Sequence, residues 1–164
     1  MPELPEVETI VRSLAPRLTG RRILRAEVFS DLVVRGDRVT LAANLTDRTI
    51  TAIERRGKFI VVLLDRGLLA IHLGMTGKLL ADAAPGPHTR ARFHLDDGEL
   101  LYDDIRMFGK LEWEPARIAA LGPEPLAIGA AEFVESLRAR RALIKPLLLN
   151  QGFLRGLGNI YVDE

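Results

Sequence analysis

The chain opens Met1-Pro2-Glu3, which sets an imino acid beside a carboxylate. If Met1 is removed, Pro2 carries a free secondary amine. An α-amine has a reference pKa near ~8, so a useful fraction is neutral and nucleophilic at neutral pH. Such an amine attacking an aldehyde-like sugar carbon gives a charged iminium, an electron sink for breaking neighbouring bonds. Glu3 is placed to move the protons. The same residues also read as ordinary helix-start chemistry, with Pro5 in the first turn and Glu6 and Glu8 near the positive helix end.

Four further clusters could handle a polyanion. Arg55-Arg56-Gly57-Lys58 gathers three cations around a glycine between two strand-like runs, either a phosphate-binding point or an exposed basic turn. His72-Leu73-Gly74-Met75-Thr76-Gly77 puts an unbranched apolar side chain in a glycine-bounded loop, where it could act as a wedge or simply fill the core. Tyr102-Asp103-Asp104-Ile105-Arg106-Met107-Phe108-Gly109 offers a guanidinium for a base edge and an aromatic ring for stacking; an Asp–Arg pair with a packed Phe is the plainer alternative. The glycine-rich turn 152–159, flanked by Arg140, Arg141, Lys145 and Arg155, could present backbone N–H groups to phosphate.

The elements that must hold these residues are legible. Val7, Ile10, Val11, Leu14 and Leu18 fall at helical spacing and predict a helix over 5–18. Short β-like runs follow at 23–29, 32–35, 49–55, 59–64, 68–73, 91–95, 99–102 and 110–114, with a short helix near 38–45. Asp65-Arg66-Gly67 and Asp96-Asp97-Gly98 signal hairpins. Many short strands with such turns predict a sandwich or barrel. Gly122-Pro123-Glu124-Pro125 reads as a linker, after which helices are predicted at 130–140 and 143–150, and Asn159 as the cap of another. That last helix has too few residues to stand alone, so the chain is expected to stop inside a second, helical domain.

Composition excludes several classes. With 48% apolar and 27% charged residues among 164, the chain is globular rather than disordered. It has no membrane-length apolar run and no secretory signal at its start. It has no cysteine, which rules out disulfides and thiolate zinc sites and fits a reducing cytoplasm. Net charge is only +1, but basic groups gather in 12–66 and 138–164 around an acidic block at 67–137. Arg accounts for 19 of the 23 basic residues, and arginine forks onto phosphate where lysine is a point charge.

Together the motifs resemble the formamidopyrimidine-DNA glycosylase family from end to end. The opening Met1-Pro2-Glu3-Leu4-Pro5-Glu6-Val7-Glu8-Thr9 and the turn Gly158-Asn159-Ile160-Tyr161 are the most specific matches. Leu121-Gly122-Pro123-Glu124-Pro125-Leu126, Ile144-Lys145-Pro146 and the three internal clusters support them. Leu4 favours this branch over the related endonuclease VIII branch. The resemblance implies a mainly β fold with α: a catalytic β-sandwich with an N-terminal helix over 1–121, a linker at 122–129, and the start of a helix–two-turn–helix domain at 130–164. It implies a base-excision repair glycosylase and AP lyase, acting as a cytoplasmic bacterial monomer on double-stranded DNA that contains oxidised purines or abasic sites, with no membrane partner.

By that resemblance Pro2 attacks the sugar C1′, Glu3 handles the proton on the sugar oxygen, Glu6 supports the site and Lys58 contacts phosphate and assists elimination. Met75, Arg106 and Phe108 fill the gap left by the flipped nucleotide. His72 and His88 contact the DNA backbone, and Arg140, Lys145 and Asn159 hold phosphates around the lesion. There are departures: Met107 stands where a basic residue is usual, and Arg90 where a second histidine is. The family also carries a C-terminal zinc finger with four cysteines, so this chain is expected to bind no cofactor itself and to read as an N-terminal fragment. Two other functions stay open on the residues: a non-catalytic DNA-binding fragment, and an endonuclease VIII-like glycosylase for oxidised pyrimidines.

Overall fold

The computed structural model describes residues 1–164. Helix α1 (Leu4–Leu18) buries Leu4, Val7, Val11, Leu14 and Leu18 along one stripe. Its 3–4 spacing is that of a helix with one face turned to a core. The strands are β1 (Arg22–Val28), β2 (Val34–Arg35), β3 (Arg48–Arg56), β4 (Phe59–Leu64), β5 (Leu68–His72), β6 (Lys78–Ala81), β7 (Thr89–Leu95), β8 (Glu99–Asp103) and β9 (Lys110–Trp113), with α2 (Arg38–Leu45) between β2 and β3. They pair in the order β2-β9-β5-β4-β3-β1-β7-β8-β6.

That run is hinged at one place. β1 meets β3 through only two residue pairs, Arg22 with Thr49 and Ile23 with Arg48. On either side pairing is long and antiparallel, β3 with β4 and β1 with β7. The two halves share one apolar core that holds Ile53, Ile60, Val62 and Ile71 from one half, Phe93, Leu100 and Tyr102 from the other, and the stripe of α1. α1 lies on β3 and α2 on β1. β7 alternates buried and half-buried residues, as a strand with one covered face must. β4 does not: Ile60, Val62 and Leu64 face the main core, whereas Phe59 and Val61 join Ala70 and Ile118 in a second cluster on the opposite face.

Two expectations are corrected. Only Val34–Arg35 of the predicted strand at 32–35 pairs, in parallel with Leu111 and Glu112. The preceding residues Asp31–Val33 form a 3-10 turn, because the Ser30 hydroxyl accepts the Leu32 N–H. Strand β6 had no alternating pattern in sequence; it exists through its pairing with β8. The chain ends in α3 (Ala130–Arg138), α4 (Ile144–Leu149) and α5 (Asn159–Asp163). α3, α4 and the turn after α4 share a small cluster of Leu147, Phe153 and Leu154, with Phe133 and Leu137 packed against it. No helix is long and apolar enough to cross a membrane.

Phe93 is 2% exposed in the shared core. Phe93→Ala is expected to lower unfolding free energy by about 3–5 kcal/mol in urea titrations, through lost burial and the cavity left behind. Val39→Ala, at a position 69% exposed, should stay within about 0.5 kcal/mol.

Candidate active site and nucleic-acid interface

The two ends of the chain meet. Glu3 is 3% exposed, and its carboxylate accepts the backbone N–H groups of Gly158 at 2.6 Å, Ile160 at 2.9 Å and Tyr161 at 3.3 Å. It thereby satisfies the free donors that begin every helix, here those of α5. Next to it, the Leu4 N–H donates to the Gly156 carbonyl at 3.0 Å. Asn159 was expected to cap α5; instead it is the first helical residue and exposed, and no side chain of Gly158 can serve. The cap arrives from the other end of the sequence. The same contacts correct the reading of 152–159 as a bare phosphate cradle. Within it, the Gly158 N–H is taken by Glu3, the Gly156 N–H by the Gln151 side chain at 2.8 Å and the Gly152 N–H by the Asn150 side chain at 2.9 Å.

Glu6 is exposed and turns back to accept the Glu3 backbone N–H at 3.0 Å, fixing the first turn of α1. Pro2 is half-buried directly before this anchor, and Met1 is 47% exposed.

The basic cluster at 55–58 divides. Arg55, read in sequence as part of either a phosphate-binding point or an exposed basic turn, is instead buried in an ion network. Its guanidinium donates to Glu8 at 2.8 Å, to Glu124 at 2.6 Å and to the Gly57 carbonyl at 3.1 Å, and Arg155 donates to Glu124 at 2.9 Å. Burial works against the charge on Arg55, but Glu124 and Glu8 more than offset it and raise its pKa. The network joins α1, β3, the linker and the turn before α5. Arg56 pairs with Glu54 on the surface. Lys58 alone turns into the cleft. It is 8% exposed, and burial pushes its ammonium below the usual lysine range while nearby Glu3 opposes that shift.

The cleft has a volume of about 510 Å³, and Lys58, Phe59, His72, Phe108, Arg117 and Gln151 are among its lining residues. Its polar wall is cationic. Burial, together with Arg117, Lys58, Arg35 and Lys110, lowers the His72 pKa to about 4. The neutral ring accepts the Gly74 N–H on Nδ1 at 3.1 Å and meets the Phe59 ring edge-on at 5.1 Å.

Above this wall stand the two loops singled out as wedges. Met75 is 46% exposed and Phe108 55% exposed, so neither is core, and Arg106 lies with its guanidinium 4.6 Å above the Phe108 ring. The alternative Asp–Arg pair does not form, since Arg106 pairs with neither Asp103 nor Asp104. Asp104 is fully buried and accepts from Thr76, Tyr102 and Gly109. Its burial would raise its pKa, but these donors, Thr76 first, hold it below the usual range. Lys110 also escaped the sequence reading. Its ammonium donates to the carbonyls of Leu32, Met107 and Gly109, closing the far end of the loop. A lysine at the start of a strand carries no signal for that role. Met107 adopts a left-handed φ of 55° there.

The other candidates lie away from this cleft. Arg140 lines a separate pocket with Phe153, and Lys145 pairs with Asp163 across α4 and α5 at 2.5 Å. His88 is half-buried, and its carbonyl accepts the Asp104 N–H. No group of three or more His, Cys, Asp or Glu side chains is arranged to hold a metal ion.

A chain start anchored near Lys58 of a cationic cleft, with two exposed loops close by, coincides with a known sequence pattern. The formamidopyrimidine-DNA glycosylase N-terminal domain matches residues 1–111. The chain belongs to the formamidopyrimidine-DNA glycosylase family. Over its whole length it is 53% identical to the formamidopyrimidine-DNA glycosylase of Solibacter usitatus and 45% identical to that of Symbiobacterium thermophilum, covering 64% and 58% of those proteins. It superposes with a TM-score of 0.87 on the Lactococcus lactis Fpg in complex with abasic-site DNA, at 38% identity over 99% of this chain and 65% of that one. The L. lactis wild-type protein has also been solved with oxidised-pyrimidine DNA. The chain thus spans about 64% of the length of its Solibacter relative.

Two outcomes follow from the site. The His72 ring should titrate near pH 4 by NMR rather than near its ordinary 6.5. Between those values the unfolded chain binds a proton that the folded chain does not, so this group makes stability rise with pH across that window and adds nothing above it. Glu124→Ala leaves Arg55 buried without its main partner and should cost about 3–5 kcal/mol in chemical denaturation.

Proposed function

We propose that this chain carries the chemistry of a base-excision DNA glycosylase and AP lyase acting on oxidised purines, 8-oxoguanine and formamidopyrimidines, in double-stranded DNA. The observation that supports it most is the buried Glu3 carboxylate, held by the α5 amides beside Pro2 and within electrostatic reach of Lys58. A base inside a duplex is out of reach of such a site, so the damaged nucleotide must be turned out of the stack at a cost of a few kcal/mol. Met75, Arg106 and Phe108 occupy the space it leaves, with Arg106 toward the orphaned base. Lys58, His72 and His88, and from the helical segment Arg140, Lys145 and Asn159, hold the backbone.

With Met1 removed, the Pro2 nitrogen lone pair attacks C1′ and the bond from C1′ to the base breaks. The base leaves as an anion and takes its proton from water. Glu3 removes the proton from the Pro2 nitrogen, now positively charged, and passes it to O4′ as the C1′–O4′ bond opens to an iminium. Loss of a C2′ proton, assisted by Lys58, expels the 3′ phosphate and nicks the strand. Hydrolysis of the iminium frees Pro2. Covalent attack divides one difficult displacement into easier steps. Glu6 fixes the backbone of the first turn while this proceeds.

Borohydride trapping on abasic-site DNA tests the reading. A covalent adduct mapped by peptide mass spectrometry to Pro2, and abolished when the N-terminus is extended, is expected. No adduct at high protein concentration would favour the DNA-binding fragment without turnover. Faster trapping on an oxidised pyrimidine than on 8-oxoguanine would move the substrate class to the endonuclease VIII type.

A further inference from the structure

Asp104 touches no cleft surface, yet both exposed loops end on it. Its Oδ1 accepts the Thr76 hydroxyl at 2.5 Å, and its Oδ2 accepts the Gly109 N–H at 2.9 Å and the Tyr102 hydroxyl at 3.1 Å. The Thr76 oxygen in turn accepts the Arg106 N–H at 3.0 Å. The residue after Met75 is therefore bonded through one carboxylate to the residue after Phe108, and directly to the backbone of Arg106. There is no slack between the loops. A Cβ on Gly74 would lie 2.5 Å from the Gly109 nitrogen, and one on Gly109 would overlap the Tyr102 hydroxyl. A carboxylate removed from water needs donors, and here each loop supplies one, Thr76 from the first and Gly109 from the second.

We propose that Asp104 is a positioning residue that couples the Met75 loop to the loop of Arg106 and Phe108, so that the three side chains enter a gapped duplex as one unit. This rests on the glycosylase reading above. If any one plug is missing, insertion of the others loses its support, and a second deletion costs little more.

The test is a double-mutant cycle on affinity for a duplex carrying a tetrahydrofuran abasic analogue, relative to intact duplex, using the 164-residue chain. Met75→Ala and Phe108→Ala are each expected to weaken binding about tenfold, and the double variant also about tenfold. In a Thr76→Val background the hydroxyl bridge is gone, and the same pair should become additive, at about a hundredfold. Tyr102→Phe removes a donor that belongs to neither loop and should leave the cycle as in the parent chain. In the free protein, hydrogen exchange at the Gly109 and Arg106 amides should quicken together in Thr76→Val while the Ile60 and Ile71 amides hold. Additivity in the parent chain, or an unchanged cycle with Thr76→Val, would overturn the coupling. Linked amide exchange without any preference for the gapped duplex would retain the coupling and overturn the glycosylase reading instead.

Discussion

One hydrogen-bonded carboxylate joins the first turn of the molecule to the last. Glu3 caps α5 from a position 155 residues before Gly158, and everything near the cleft is arranged around that junction. A helix of five residues has almost no stability of its own. Its free amides need an acceptor, and a carboxylate taken out of water needs donors; each removes the other's penalty. The acceptor sits next to Pro2, so the same contact that holds α5 also fixes the start of the chain near Lys58.

A second layer keeps that junction in place. Arg55, Glu8, Glu124 and Arg155 bind α1, β3, the linker and the glycine turn to one another behind the site. A buried network of this kind contributes little net stability over an apolar replacement, but it tolerates only one arrangement. Leu4 packs against Gly156 so closely that a Cβ there would lie 2.8 Å from its side chain. Cations not used by the network, Lys58 foremost, are left to face the cleft. The division between structural and exposed charge is thus made by position relative to the two acidic partners and not by residue type.

Much of this was legible in the sequence. The stripe of α1, the strand β4 and the hairpin turns followed from apolar spacing and Gly/Asp pairs, because local periodicity decides them. β6 and the 3-10 turn before β2 did not, since they depend on an edge partner and on one serine hydroxyl. At the site, the chemistry-bearing residues were visible by type, but their division of labour was not. Arg55 and Lys58 look alike in a run of three cations; only the placement of Glu8 and Glu124 tells them apart. Asn159 carries the right side chain for a cap one position too late. Asp104 sat beside an arginine that suggested the wrong partner, and its true partners come from three separate segments.

The closing of sequence position 3 onto position 158 also bears on the order of events at the ribosome. The sandwich can pack once β9 has emerged, well before the glycine turn is made. The chain start would then wait, with the Glu3 carboxylate still hydrated, until residue 161 leaves the exit tunnel and supplies the last of its three amides. The junction is therefore made only after the sheets and α1 it fastens have already packed.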